Sequence, residues 1–389
     1  MDVASVEWLL TDDGQQVLSL ACELGEPDPL RAHAALERRS PGTPSELLAV
    51  ALTQAALREH AVAKFGELAA SMYFTPEGLE QATRLSVATH RAARLTAFAA
   101  TTVVDLGCGI GGDLIAFARA GLTAAGVDLD PVRVAVATAN LAALGLGGAV
   151  MNADALEVDT SPFDVAFADP ARRTGRGRTF ALDAWTPPWS FVESLLTRDA
   201  CVKTAPGIPH EAVPDGVEAE WVSDDGDVKE AVLWSPYLAT TRRRATVVRQ
   251  GGLASLTDED DPGAEVVPVS AYLYEPDGAV IRAGLVTAVA GIAGGGLLDE
   301  HIAYVTSDRL VETPFARGYE VLETLPYKEK PLKAALRERN IGRLTIKKRG
   351  VDVVPDDLRK RLAPSGDQEA TIVLTRVAGV GTCLLVRPL

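Results

Sequence analysis

The run VVDLGCGIGG, residues 103–112, leaves a chain few folds to choose from. Its first half is short and apolar, as suits a strand buried on both faces. Its second half sets Gly107, Gly109 and Gly112 at G-x-G-x-x-G spacing, and GGDLIAFARAG then reads as a helix closed by Gly121. Glycine lets the backbone bend sharply and lets a ligand approach with no Cβ in the way. The spacing alone suits a plain strand-to-helix turn equally well. The downstream segments narrow the choice. LTAAGVDL reads as a second strand, and DPVRVAVATANLAALG as a helix capped by Asp130, started by Pro131 and stopped by Gly145. Val134, Ala137, Leu141 and Leu144 would form its apolar stripe. GGAVMNAD, FDVAFADP and ACVKTAPG supply three more strands. Alternation of this kind predicts an α/β fold with a doubly wound parallel sheet and right-handed crossovers.

The flanks differ in character. Residues 1–95 read as a helical region, with ELLAVALTQAALREHAVAKF as its longest helix, Ser45 as that helix's cap, and Thr75-Pro76 opening another. The α/β core is placed at 96–255, with VEAEWVS, VKEAVLWSP and RATVV as strands completing its sheet. LTDEDDPGAE, residues 256–265, is acidic and turn-rich and reads as a linker. An α+β region at 266–389 ends in TIVLTRV and TCLLVRP, expected to pair.

Three acids point to the ligand. Asp128 follows Gly109 by nineteen residues, at the end of the second strand, where a carboxylate can accept both hydroxyls of a ribose. Asp105 stands just before the glycines, where it would repel a pyrophosphate but favour a cationic, amine-bearing ligand. Asp154 could accept from an adenine amino group. Together they suit S-adenosylmethionine, which carries a sulfonium and an amino-acid tail and no phosphate.

VVDLGCGIGGD, GVDLD, NADAL and FADP resemble, in order, the motifs of class I S-adenosylmethionine-dependent methyltransferases, over about residues 100–205. FTPEGLEQAT, DPARR and VKTAPGI, with YLYEPDGAVIRAGL and the basic stretch after 324, are similar to a bacterial methyltransferase family carrying a THUMP-like C-terminal domain. The catalytic part is also similar to trimethylguanosine synthase. The resemblance implies a Rossmann-like core in which Gly107, Gly109, Asp128 and Asp154 line the cofactor and Phe74 and Thr75 close over it.

In amino-methylating relatives the fourth strand is followed by Asp or Asn, Pro, Pro and an aromatic residue. Here Asp169 and Pro170 are kept, while Ala171 and Arg172 replace the other two. Asp169, Pro170, Arg172 and Lys203 are therefore the candidate catalytic residues, with Arg172 able to stack on a base or pair with a phosphate. Cys201, inside a strand, reads as a core thiol. Arg173, Arg176 and Arg178, interleaved with Phe180, Trp185 and Trp189, have the composition of a loop that grips unstacked bases. Lys347, Lys348 and Arg349 form a second candidate RNA footprint.

Composition sets the outer bounds. The net charge of −15 argues against general attraction to nucleic acid, yet residues 324–361 hold twelve Lys or Arg against five Asp or Glu. Cys22, Cys108, Cys201 and Cys383 are scattered, and no His or Cys sits at metal-ligand spacing. The start lacks the basic n-region of a secretory signal, and no run is long enough to span a bilayer, so a cytoplasmic location without membrane or metal is expected. The leading expectation is a methyltransferase acting on RNA, a purine nitrogen being the weaker guess for the target atom. Its rivals are a methyltransferase for a protein or small molecule, and a non-catalytic RNA-binding module with a vestigial fold. An NAD oxidoreductase is disfavoured by Asp105.

Overall fold

The computed structural model describes residues 1–172, 185–249 and 252–389. The chain opens with six helices, α1 Val3–Leu9, α2 Asp12–Glu23, α3 Pro29–Arg39, α4 Ser45–Phe65, α5 Pro76–Gln81 and α6 Leu85–Ala97. Polar side chains start three of them: Asp2, Thr11 and Asp28 each accept a backbone N–H of the first turn. Thr75 does the same for α5, with Pro76 at the first helical position. The expected cap at Ser45 is not formed. Pro44 occupies the N-cap position of α4, and the Ser45 hydroxyl instead meets His33 Nε2 at 3.0 Å.

The alternating pattern then begins with β1 Thr102–Leu106, α7 Gly112–Arg119, β2 Thr123–Asp128, α8 Pro131–Ala143, β3 Ala149–Asn152 and β4 Val165–Ala168. A two-residue ladder, β5 Ala171–Arg172 with β6 Trp185–Thr186, precedes α9 Trp189–Leu195 and β7 Ala200–Thr204. Further strands are β8 Glu218–Asp224, β9 Asp227–Trp234, β10 Arg243–Arg249 and β11 Gly252–Thr257. They form a nine-stranded sheet in the order β11-β10-β8-β9-β7-β4-β1-β2-β3. Pairings of β1 with β2 and β4, of β2 with β3, and of β4 with β7 are all parallel. The order reverses between β1 and β4, which opens a crevice at the carboxyl ends of these strands. β8 returns as β9 through Asp225-Gly226, both at positive φ, a two-residue turn whose twist matches a hairpin.

Burial explains the pattern. All four residues of β4 are buried, as are Val103, Val104 and Leu106 of β1, whereas β3 lies at the sheet edge and is mostly exposed. On α8 the buried stripe runs through Val136, Ala137, Asn140 and Leu141, so the expected Val134 and Leu144 are only half-buried.

Contact density divides the chain into two units. The first holds Met1–Thr204, Ile208–Val217 and Val232–Ala239. Its main core joins Val6, Phe65, Leu95, Leu114, Phe117 and Phe167, and a smaller one lies under Val17, Leu36 and Leu48. The second holds Ala205–Gly207, Glu218–Ala231 and Thr240–Leu389. It contains β12 Tyr272–Pro276, α10 Gly278–Ala283, α11 Val286–Ala293, β13 Gly296–Asp299, β14 Ile302–Ser307 and β15 Ala316–Leu325. α12 Glu329–Glu338, β16 Ile341–Lys348, α13 Pro355–Leu362, β17 Gln368–Val377 and β18 Val380–Pro388 complete it. These seven strands form one sheet, β13-β14-β12-β15-β18-β17-β16. The C-terminal pair expected from the sequence is antiparallel, with Thr371 opposite Val386. The acidic stretch read as a linker is pinned inside this unit: Asp258 accepts from the Arg243 amide at 2.9 Å, and Asp261 from the Thr287 hydroxyl at 2.6 Å.

Candidate active site

The glycine loop after β1 uses its own amides. Gly107 and Cys108 both donate to the Val127 carbonyl at 2.9 Å, and Gly111 donates to the Cys108 carbonyl at 2.9 Å. Gly109 donates to Asp128 Oδ2, also at 2.9 Å. A phosphate cradle needs such donors aimed outward, and here these four are spent internally. Gly107 and Gly109 adopt φ of +97° and +55°, which side-chain-bearing residues rarely accept. A Cβ on Gly109 would meet nothing within 4 Å, because that position faces open space.

The space is a cavity of about 310 Å³ within the first unit, at the carboxyl ends of β1, β4 and β7. Asp105, Gly107, Gly109, Asp169, Pro170 and Lys203 all line it. Asp105 is 1% exposed, and neither of its carboxylate oxygens has a hydrogen-bond partner among the described residues. Burial, with the negative charge of Asp169 added, pushes its pKa up to about 8 against the opposing pull of Arg91. Burial and the same acidic surroundings push the Cys108 thiol up as well, which leaves it a poor nucleophile.

In the same cavity, Lys203 Nζ lies 2.6 Å from Asp169 Oδ2 and 3.1 Å from Thr83 Oγ1. Strand pairing explains the meeting, since Ala168 is in register with Val202 and the next residue on each strand is Asp169 or Lys203. Gly78, Gln81, Ala82 and Thr83, from one segment of the chain, also line the cavity. Lys64 holds that segment from behind, donating to the carbonyls of Leu79, Glu80 and Ala82 at 2.8, 2.6 and 2.9 Å. Gln81 accepts from Arg133 Nη2 at 3.2 Å.

Two supports escaped the sequence reading. Arg91, on α6 and 1% exposed, pairs with Asp113 on α7 and lies 4.5 Å from the centre of the Phe167 ring. Asn140 accepts from the Tyr73 amide at 2.6 Å and donates to the carbonyls of Tyr73 and Ile110. Asn140 interrupts the apolar stripe of α8, and that interruption was a readable signal for it.

Other expected residues lie elsewhere. The ring of Phe74 is fully buried, 5.7 Å from that of Phe65, and does not line the cavity. Thr75 caps α5 through the Gly78 amide at 2.9 Å. Asp128 is absent from the cavity wall; its two oxygens accept the amides of Gly109 and Asp130, each at 2.9 Å. Asp154 accepts the Leu156 amide within a turn. The backbone of Arg172 pairs with Trp185, and Arg173, Arg176 and Arg178 lie outside the described residues. In the second unit, side chains of β16 alternate in direction, so Lys347 and Lys348 separate. Lys347 meets Glu275 at 2.5 Å and Arg349 lies 3.8 Å from the same carboxylate, while Lys348 is exposed. The basic footprint is thus partly neutralised by one half-buried glutamate.

Residues 103–173 match a methyltransferase domain family, and residues 316–388 a THUMP domain-like family. Residues 2–61 match a domain of unknown function. Two uncharacterized S-adenosylmethionine-dependent methyltransferases of Mycobacterium tuberculosis, from strains CDC 1551 and H37Rv, are each 41% identical over 338 residues, spanning 84% of this chain and 92% of theirs. The chain belongs to the S-adenosylmethionine-dependent methyltransferases.

A Porphyromonas gingivalis W83 protein, whose crystal structure was solved as that of a methyltransferase candidate, has the same fold. The TM-score is 0.77 at 22% identity, covering 97% of this chain and 99% of that one. The cavity of this methyltransferase fits S-adenosylmethionine on two observations. Asp105 has an unpartnered buried carboxyl group that a cationic ligand group would draw into its charged form, and the loop amides leave little for a phosphate. No described helix is long and apolar enough to cross a membrane. Among the described residues, no cluster of His, Cys, Asp or Glu is placed to hold a metal ion.

Proposed function

We propose that this methyltransferase transfers its methyl group to RNA, at a base nitrogen. The observation that carries the reading is the meeting of Asp105 and Asp169 in one cavity, in a chain whose residues 316–388 match a THUMP-like domain. Asp105, Gly107 and Gly109 would hold the cofactor, with Asp128 fixing the loop and Asp154 beside the adenosine. S-adenosylmethionine, when bound, supplies a methyl group already activated by its sulfonium. The chain's own work is then placement and exclusion of water. Asp169 Oδ1, which accepts no hydrogen bond among the described residues, accepts an N–H of the target amine. That contact turns the nitrogen lone pair toward the methyl carbon. As the new N–C bond forms and the methyl–sulfur bond breaks, leaving S-adenosylhomocysteine, the surplus proton would pass from nitrogen to the same carboxylate oxygen of Asp169. Arg172, Arg173, Arg176 and Arg178 would grip the strand, with Lys348 as a further contact.

The test is transfer of labelled methyl groups to total RNA from a strain lacking the gene, followed by nucleoside analysis. Nuclease-sensitive label is the expected result. Label confined to the protein or small-molecule fraction would replace this reading with its rival, a protein or small-molecule acceptor. The neutralisation of Lys347 and Arg349 by Glu275 favours that rival.

A further inference from the structure

We infer that Lys203 determines which acceptors this enzyme methylates, by reading the hydrogen-bond acceptor that stands next to the reacting amine. The inference rests on the proposed action at a base nitrogen. Asp169 and Lys203 do not present two independent charges to the cavity. Their contact at 2.6 Å commits Asp169 Oδ2 to the ammonium, which leaves Oδ1 as the acceptor on that carboxylate. Thr83, 8% exposed, takes a second ammonium N–H at 3.1 Å. An ammonium carries three donors, so one remains for a group entering the cavity that Lys203 lines. Lys203 is only 16% exposed and Asp169 33%, which restricts the ammonium to a narrow range of directions.

The Asp169–Lys203 pair therefore offers an incoming group one acceptor and one donor, with little net charge of its own. A carboxylate or phosphate would meet Asp169, and an alkylammonium would meet Lys203, each with like-charge repulsion. The matching surface is neutral: an amine whose N–H donates to Asp169, flanked by an unprotonated ring nitrogen that accepts from Lys203. Adenine, cytosine and the N2–N3 edge of guanine have that arrangement. Uracil has no exocyclic amine, and a ribose hydroxyl has no flanking ring acceptor. Lys203 selects amine-bearing bases.

The test uses the full-length enzyme and labelled S-adenosylmethionine, with total RNA from a strain lacking the gene. Lys203→Met keeps the aliphatic stem and removes the donor, whereas Lys203→Arg keeps a donor and the charge. The methylated nucleoside should carry its methyl group on the exocyclic amine of adenine, cytosine or guanine. Lys203→Met should raise KM for RNA about tenfold, the effect of one hydrogen bond of this kind. Its affinity for S-adenosylhomocysteine by calorimetry should change far less. Lys203→Arg should recover most of the KM. Label on a uracil carbon or a ribose oxygen would overturn the inference. So would a Lys203→Met enzyme with unaltered KM for RNA, or one whose main loss is cofactor affinity. Complete absence of label in RNA would instead sink the proposal of an RNA substrate.

Discussion

The backbone N–H of Gly109 donates to Oδ2 of Asp128 at 2.9 Å, tying the glycine loop to the end of the neighbouring strand. The other oxygen of Asp128 accepts the Asp130 amide. One carboxylate thus sets the loop and the start of α8 together. Asp128→Ala should lower S-adenosylmethionine affinity by about 10–100-fold, the range for losing charge-assisted hydrogen bonds. Calorimetry that found unchanged affinity would remove Asp128 from the site.

Asp105 makes stability depend on pH. Its folded pKa is raised to about 8 from an ordinary value of 3.8. Between those values the folded state holds a proton that the unfolded chain releases. Stability from this group is therefore complete below about pH 4 and is lost as pH rises through about 8. Asp105→Asn should flatten the decline in melting temperature over that window. It should also bind S-adenosylhomocysteine more weakly at pH 8, where the native residue offers a carboxylate to the ligand ammonium. A melting profile identical in slope to the native one would count against the assignment.

Arg91 and Asp113 form an ion pair whose side chains are 1% and 9% exposed. Removing one partner strands a charge in the interior. Arg91→Met should cost about 3–5 kcal/mol in urea unfolding, and Arg91→Met with Asp113→Leu should recover much of it. A double variant as unstable as the single one would show that the pair is not the source of the loss.

Asn140 holds three backbone groups of Tyr73 and Ile110, far apart in sequence and buried. Asn140→Ala leaves those groups unsatisfied and should destabilise the protein by about 2–3 kcal/mol. Loss of less than about half that amount would mean that water replaces the amide.

Lys347 and Lys348 should behave differently despite being neighbours. Lys347→Glu sets a second carboxylate against Glu275 and should lower the melting temperature. Lys348→Glu touches an exposed position, so stability should hold while RNA retention weakens in a salt-dependent way. Retention indifferent to Lys348→Glu would take that residue out of the proposed RNA contact.

Much of the α/β core was legible because its signals are local. A buried parallel strand needs a continuous apolar run, a strand-to-helix turn needs glycine at positive φ, and a helix start needs a cap. VVDLGCGIGG, Asp130-Pro131 and Gly145 state those requirements within a few residues. The cofactor was legible from the ordered motifs of the core. The nineteen-residue step from Gly109 to Asp128, read from the sequence as a ribose contact, is in the structure a direct contact between the loop and the neighbouring parallel strand.

The partners of the acidic stretch and of the basic run were not legible, because they come from distant parts of the chain. Asp258 and Asp261 look solvated in sequence, but Arg243 and Thr287 come from elsewhere in the chain to meet them. Lys347 and Arg349 look like free cations until β12 brings Glu275 across the sheet.

By itself, then, the sequence determined the alternation of strands and helices in the core's first half, the glycine turn and the acids at its edge, since each follows from backbone sterics and hydrophobic period. Only the tertiary structure decided which of those groups face a common cavity. Asp105 emerged with an unpartnered carboxylate, Asp128 as the brace of the loop, and Lys203 as the partner of Asp169. Burial and pairing are properties of a side chain's three-dimensional neighbours, and residues separated by tens of positions become neighbours only when the sheet is assembled.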